Sequence, residues 1–268
     1  MDAAELIIAV GNEKGWFTST AEATDRASAW KQGLLKRLRT VLSDLREIDH
    51  PVRFDFNSSN PEMIQGDCYP NTADSLELVR CKEARSHADR YRDEVRLLTA
   101  TDFEAICRGI LSLIGCQNPM LTPASGDQGI DVFGEFAMRG RLDRTYLLGG
   151  PDSMMNFWIM GQAKHYTGEI GPDQIREFIG AQDLARRGIG YDNGEALAAL
   201  NAKPYQAVHL FFLTTGKITR GAWILAKRTG MIVFDEERIS ALLADHEVAT
   251  DSNVFFPEGL REWVRANS

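Results

Sequence analysis

The run from Ala207 to Thr214, AVHLFFLT, constrains the fold of this 268-residue chain more than any other feature. It has strand length, and its apolar centre does not alternate with polar residues. It therefore reads as a strand buried on both faces. Such a strand needs a cover on each side of its sheet, and the flanking sequence supplies helices. Pro172 opens one at the first-turn position that tolerates proline, and Gly188 closes it. After the buried strand come a helix over Thr219–Thr229, a strand over Met231–Phe234 and a helix over Glu236–Ala244. Upstream, Thr101-Asp102-Phe103-Glu104 reads as the capping-box start of a helix that runs to Ile114 and ends at Gly115. A turn at Ser125–Gly129 leads into a strand over Ile130–Phe136, and a further strand covers Phe157–Tyr166. This alternation predicts an α/β domain with a mixed central sheet flanked by helices.

The first hundred residues follow a different pattern. Ala29, Trp30, Leu34, Leu35, Leu38, Val41, Leu42 and Leu45 recur at three-and-four spacing, which predicts an amphipathic helix over Ala21–Ile48. His50-Pro51 ends it, since the residue before a proline is pushed out of helical geometry. Val52–Phe56 reads as a short strand, Asn57–Asn71 as loop and Thr72–Leu98 as helix. The expected organisation is a mainly helical region at 1–99, an α/β domain at 100–249 and a C-terminal helical extension at 250–268.

Composition narrows the function classes. The 30 Lys and Arg against 38 Asp and Glu give a net charge of −8, which argues against a generic basic coat for nucleic acid. Cys68, Cys81, Cys107 and Cys116 are widely spaced without a C-x-x-C pair, the pattern of free thiols in a reducing compartment. The N-terminal apolar run Leu6–Val10 is too short for a signal segment or a membrane span. A cytoplasmic protein with no membrane partner is expected.

One group of residues points to chemistry. Side chains alternate between the faces of a strand, so Gln162 and Lys164 share a face that Ala163 does not. Asp131, Phe133 and Glu135 likewise share a face. If the two strands form an antiparallel pair, the start of the first lies beside the end of the second. Asp131 then meets Gln162 and Lys164. A carboxylate, an amide carbonyl and an ammonium at one sheet end suit a hard divalent cation. Mg²⁺ keeps several waters and takes only one or two carboxylates from protein. Lys164 would orient an attacking water or neutralise charge growing on a phosphate.

At these residues, Gly126-Asp127-Gln128-Gly129-Ile130-Asp131 followed by Gln162-Ala163-Lys164, the sequence resembles the Mrr-like restriction endonucleases of the PD-(D/E)xK nuclease superfamily, in which Gln often replaces the acid two residues before the lysine. The resemblance extends to Phe103-Glu104, to Arg176–Ala181 and to Leu213–Gly216, covering about residues 100–245. It implies a restriction-endonuclease-like fold and a Mg²⁺-dependent DNA endonuclease, with Mn²⁺ as a substitute ion. It also implies Asp131 as metal ligand, Gln162 as the ligand in place of the usual acid and Lys164 as the catalytic lysine. The stretch from Ala137 to Asn156 is longer than a hairpin connection needs, and the first part of the chain lies outside the resemblance.

Other residues carry competing readings. Asp127 suits a turn residue with a secondary role in positioning the site. Glu104 fits the capping box, yet an acid from this helix reaches the metal in related nucleases, which makes it a third candidate ligand. Glu177 reads as a solvated charge, and His165 as a packed histidine on the face opposite Lys164. Thr215 and Lys217, at a strand exit, are candidate phosphate holders, or simply cap the following helix beside Thr214 and Thr219. Lys31, Lys36, Arg37 and Arg39 form a basic helix face, solvated or touching phosphate.

The reading that unites these features is a metal-dependent DNA endonuclease acting in restriction or anti-phage defence, as a homo-oligomer or under a regulatory subunit. The alternatives are a non-cleaving nucleic-acid-binding or scaffolding subunit that keeps a nuclease fold, and a ribonuclease.

Overall fold

A computed structural model of the chain describes residues 1–48, 50–122, 129–139, 152, 154–187, 200, 202–203, 205–251 and 254–268. The expected turn at 125–128, the helix end at Gly188 and most of the long connection after Ala137 lie outside these residues. The chain divides into two compact units, Met1–Ser86 and His87–Ser268.

The first unit contains helix α1 (Ala3–Glu13), helix α2 (Thr20–Glu47), strands β1 (Phe54–Phe56) and β2 (Ile64–Gly66), and helix α3 (Leu76–Arg85). Asp2 and Glu5 form a reciprocal capping box on α1, while Ser19 caps α2. Ala23, Ala27, Leu35 and Leu42 are the buried stripe of α2; of the expected face Leu35 and Leu42 are buried, whereas Ala29 and Trp30 are exposed. β2 pairs antiparallel with β1, a partner hidden in the expected loop because a three-residue strand carries too little pattern to read. The basic face is partly spoken for. Lys31 Nζ bridges Glu62 at 2.6 Å and Asp2 at 2.9 Å, and these two acids hold its ammonium above the usual lysine range. The Arg39 guanidinium lies 5.2 Å from the Phe56 ring centroid and donates to the Pro61 carbonyl.

The second unit begins with helix α4 (Ala88–Arg96) and helix α5 (Ala100–Leu113), followed by strands β3 (Gln117–Leu121), β4 (Val132–Ala137), β5 (Asn156–Lys164) and β6 (Glu169–Ile170). Helix α6 (Pro172–Arg186), strands β7 (Val208–Thr214) and β8 (Lys217–Ile218), helix α7 (Arg220–Thr229), strand β9 (Ile232–Phe234) and helix α8 (Glu236–Asp245) come next. A short hairpin of β10 (Thr250–Asp251) and β11 (Val254–Phe255) leads to helix α9 (Pro257–Ala266). The expected helix over Thr72–Leu98 is thus two helices, interrupted at Ser86-His87. Segments on the far side of residues 99 and 249 also pack within the second unit. Tyr91 and Val95 of α4 and Leu260 and Val264 of α9 are buried in one core with Phe103, Ile106 and Ile110 of α5. Burial at this level, roughly 1.5–3 kcal/mol per large apolar side chain, makes both segments part of the second unit.

The central sheet is five-stranded and mixed, in the order β3-β4-β5-β7-β9. β4 is antiparallel to β3 and β5, whereas β5, β7 and β9 run parallel. β7 lies inside the sheet, as its apolar run requires. Phe211 and Leu213 join the core that contains α5 and α8, while Phe212 points the other way and meets Phe178 of α6 with ring centroids 6.2 Å apart. The sheet therefore carries helices on both faces. β6 and β8 form a separate parallel pair beyond the ends of β5 and β7.

Candidate active site

The antiparallel register of β4 and β5 sets Val132 opposite Gly161, which brings Asp131 level with Gln162. The Asp131 backbone N–H donates to the Gly161 carbonyl at 2.9 Å, and Asp131 Oδ2 accepts the Ala163 N–H at 2.6 Å. The carboxylate is therefore tied to the middle of the Gln162-Ala163-Lys164 segment. Asp131, Gln162 and Lys164 line one cleft of about 340 Å³, together with Gly129, Ala163, Glu104, Glu177 and Ala181. The three residues that the sequence placed at one end of the sheet meet there.

Burial makes the cleft chemically unusual. Gln162 is 3% exposed, and its Oε1 is buried without a hydrogen-bond partner. An unsatisfied buried acceptor costs roughly 1–3 kcal/mol, so such an atom calls for an explanation in a ligand or ion. Lys164 is half-buried, and among the described residues its ammonium makes no ion pair or hydrogen bond. Gly129 fixes the neighbouring wall. Its φ of +83° lies in the left-handed region, and a Cβ there would sit 3.1 Å from Gln162 Nε2 and 3.6 Å from the Ala181 Cβ.

Glu104 lines the cleft from α5, which starts earlier than expected. Thr99 is its N-cap, and Asp102 completes the capping box, accepting from Thr99 Oγ1 at 2.7 Å and from its N–H at 3.4 Å. The box is Thr99–Asp102, not Thr101–Glu104. Both pairs have the four-residue spacing of a capping box, and Asp is a less usual residue than Glu at its last position. The Cys107 thiol, one turn beyond Glu104, is pushed well up by burial, reinforced by the negative charges of Asp131 and Glu104. α5 thus runs beneath the site.

The phosphate-holding candidates stand apart. Thr215 Oγ1 accepts the Tyr166 N–H at 2.9 Å and donates to the Tyr166 carbonyl at 3.1 Å, a local tie between two strand exits. Lys217 is exposed, 3.9 Å from Glu169, and neither residue lines the cleft. Thr214 Oγ1 donates to the Lys164 carbonyl at 2.7 Å and bonds the Gly216 N–H, holding the end of β5. His165 packs as expected, its ring 5.5 Å from Phe103 and its Nε2 3.3 Å from the Val95 carbonyl. Glu177 is the residue that sequence reasoning set aside and the structure places in the cleft. Its helical phase held the clue: with Ile175 and Phe178 buried against the sheet, Glu177 and Ala181 lie one turn apart on the same side of α6.

The donor set fits a hard divalent cation. It offers the Asp131 carboxylate and the unsatisfied Gln162 carbonyl, with Glu104 and Glu177 on the walls. Among the described residues no three His, Cys, Asp or Glu side chains form a metal cluster by themselves. The amide oxygen and water would have to complete the coordination, which suits an ion that keeps much of its hydration.

No curated protein matches the chain. Among solved structures, it is similar to the DNA modification-dependent restriction endonuclease AspBHI, at 16% identity over 78% of this chain and 45% of that one, with a TM-score of 0.40. It is also similar to the MspJI restriction endonuclease in complex with a 27-mer oligonucleotide, at 14% identity over 75% of this chain and 37% of that one, with a TM-score of 0.37. The chain spans less than half the length of either. The Mrr_cat family model, described as restriction endonuclease, matches residues 95–243, a span that includes the whole cleft and more than half of the sequence, so the chain belongs to that family.

Proposed function

We propose that this chain is a metal-dependent endodeoxyribonuclease that hydrolyses phosphodiester bonds of DNA in restriction. The observation that carries the reading is the buried, unpartnered Oε1 of Gln162, in one cleft with the Asp131 carboxylate and with Lys164, whose ammonium has no partner among the described residues. Membership of a restriction endonuclease family supports the substrate class.

Asp131 and Gln162 would hold the ion, Mg²⁺ or in its place Mn²⁺. A divalent cation bound there supplies Lewis acidity toward a phosphate oxygen and lowers the pKa of an attacking water. Asp131 is oriented for this by the Ala163 N–H, which fixes one of its carboxylate oxygens at the edge of the cleft. Lys164 donates hydrogen bonds to the scissile phosphate or the attacking water, and its charge offsets what accumulates as phosphorus is attacked. Hydrolysis breaks the bond between phosphorus and the leaving sugar oxygen, which takes up a proton while the water oxygen stays on phosphorus.

The net charge of −8 bears on how substrate arrives. With Lys164 the one cation that lines the cleft among the described residues, nonspecific affinity for a polyanion is weak and falls with salt. A second copy or a regulatory subunit that delivers DNA fits this balance, in the setting of anti-phage defence. No helix among the described residues is long and apolar enough to cross a membrane.

Incubating the purified chain with plasmid DNA and with RNA, each in Mg²⁺, Mn²⁺ or EDTA, tests the reading. Cleavage of DNA that needs the metal and is lost in EDTA is expected. Cleavage of RNA alone, or DNA cleavage indifferent to EDTA, would overturn it.

A further inference from the structure

We propose that Glu177 supplies the second carboxylate of the divalent-cation site, the negative charge that the neutral Gln162 does not provide. The inference rests on the metal-dependent reading of this cleft and assigns it a residue from a separate helix.

Four observations lead there. Gln162 contributes a carbonyl dipole where a carboxylate would contribute a full charge, and its Oε1 is buried without a partner in the cleft that Glu177 lines. The helix carrying Glu177 is fixed in rotation: Ile175 and Phe178 are fully buried on one side of it, and Ala181 lies against Gly129 beside Gln162. Glu177 therefore faces the cleft as a consequence of packing. Its carboxylate makes no ion pair or hydrogen bond among the described residues, while the adjacent Arg176 is engaged with Asp173 at 2.6 Å. Finally, among the described residues, Asp131, Glu104 and Glu177 against Lys164 give the cleft lining a formal charge of −2. A divalent cation cancels that charge.

The chemistry of the ion agrees. Mg²⁺ and Mn²⁺ take oxygen ligands and retain water, so a glutamate on the cleft wall can bind directly or grip a coordinated water. In both geometries its charge strengthens binding. The role is distinct from that of Lys164, which acts on the phosphate.

The test measures Mn²⁺ binding to the intact chain without DNA, by calorimetry or by loss of the free-ion electron paramagnetic resonance signal. Wild type is compared with Glu177→Gln and with Asp183→Asn, a control on the same helix outside the cleft. The expected result is a dissociation constant raised about tenfold or more in Glu177→Gln and unchanged in Asp183→Asn. The melting temperature of Glu177→Gln in EDTA should stay at the wild-type value, and raising Mn²⁺ should restore its cleavage of DNA. Equal Mn²⁺ affinity in wild type and Glu177→Gln would overturn the inference alone. A melting temperature lowered in EDTA would make Glu177 a structural residue and also overturn it. A wild-type chain that binds no Mn²⁺ would overturn the metal reading of the cleft and this inference with it.

Discussion

Asp131 Oδ2 accepts the backbone N–H of Ala163 at 2.6 Å, which locks the carboxylate of one strand to the residue between Gln162 and Lys164 on the next. The bond ties one carboxylate oxygen to the sheet end, while the residue also lines the cleft. Asp131→Asn keeps an acceptor for Ala163 and removes the charge. It should retain the wild-type melting temperature in EDTA to within a few degrees while losing at least about 10²-fold in DNA cleavage. Lys164→Ala, at a half-buried position whose ammonium has no partner among the described residues, should lose a comparable factor with the fold intact. Far-UV circular dichroism and a plasmid-nicking assay check both. Full activity in either variant would remove that residue from the site.

Gln162 offers a sharper test because its function and its stability pull in opposite directions. A buried acceptor without a partner destabilises the metal-free protein by roughly 1–3 kcal/mol. Gln162→Met keeps the length and most of the volume and removes the amide. It should melt higher than wild type in EDTA and lose the rise in melting temperature that Mn²⁺ gives wild type. A variant that melts lower in EDTA, or still responds to Mn²⁺, would show that the Gln162 oxygen is not waiting for an ion.

Those three residues were legible in the sequence for a specific reason. Strand alternation and antiparallel pairing are local rules, and together they force Asp131 beside Gln162 without knowledge of the rest of the fold. The buried strand at 207–214 was legible because an apolar run of that length has few other uses. Glu177 was not, since its place depends on how α6 rotates against the sheet, and rotation is decided by Ile175 and Phe178 meeting partners far away in sequence. Glu104 was half legible: its helix was found, but a competing cap at Thr99 decided which acid was left for the cleft. The two-residue strands β6 and β8 carry no periodicity at all, and only the neighbouring strand ends create them.

Gly129 should tolerate no side chain. Its φ of +83° costs an L-residue about 1 kcal/mol or more, and a new Cβ would press on Gln162 Nε2 at 3.1 Å. Gly129→Ala is expected to lower stability by about 1–2 kcal/mol and to reduce cleavage further than that loss explains, because Gln162 must shift. Denaturant titration, read together with activity at a temperature where both proteins stay folded, separates the two effects. A variant with wild-type activity would mean that the position of Gln162 is not critical.

Tyr91 tests where the catalytic unit begins. It is fully buried, its hydroxyl donates to the Val248 carbonyl and contacts Thr250 Oγ1 at 2.8 Å, and its ring packs 4.2 Å from that of Phe255. Tyr91→Phe leaves a buried carbonyl short of its donor and should cost about 1–3 kcal/mol. Correspondingly, a fragment spanning 87–268 should unfold cooperatively, while one spanning 100–268 should not, because it lacks Tyr91 and Val95. Cooperative unfolding of the shorter fragment would return the boundary to residue 99.

The buried thiols set how stability depends on alkaline pH. Burial pushes the Cys116 thiol from its ordinary value of 9.0 up to about 12. In the unfolded chain it ionises near 9, so the folded state holds the proton more tightly between about 9 and 12. Its contribution to stability is therefore complete below pH 9 and declines as pH rises through that window. Cys107, raised by burial and then by Asp131 and Glu104, acts in the same direction. Other groups titrate in this range, so the informative quantity is a difference. The denaturant midpoint of wild type should fall more between pH 8 and pH 10.5 than that of Cys116→Ala. At pH 8 a thiol reagent should label the exposed Cys81 readily and leave Cys107 untouched until the protein is unfolded. Equal pH slopes in the two proteins, or rapid native-state labelling of Cys107, would show that these thiols are not sealed in the core.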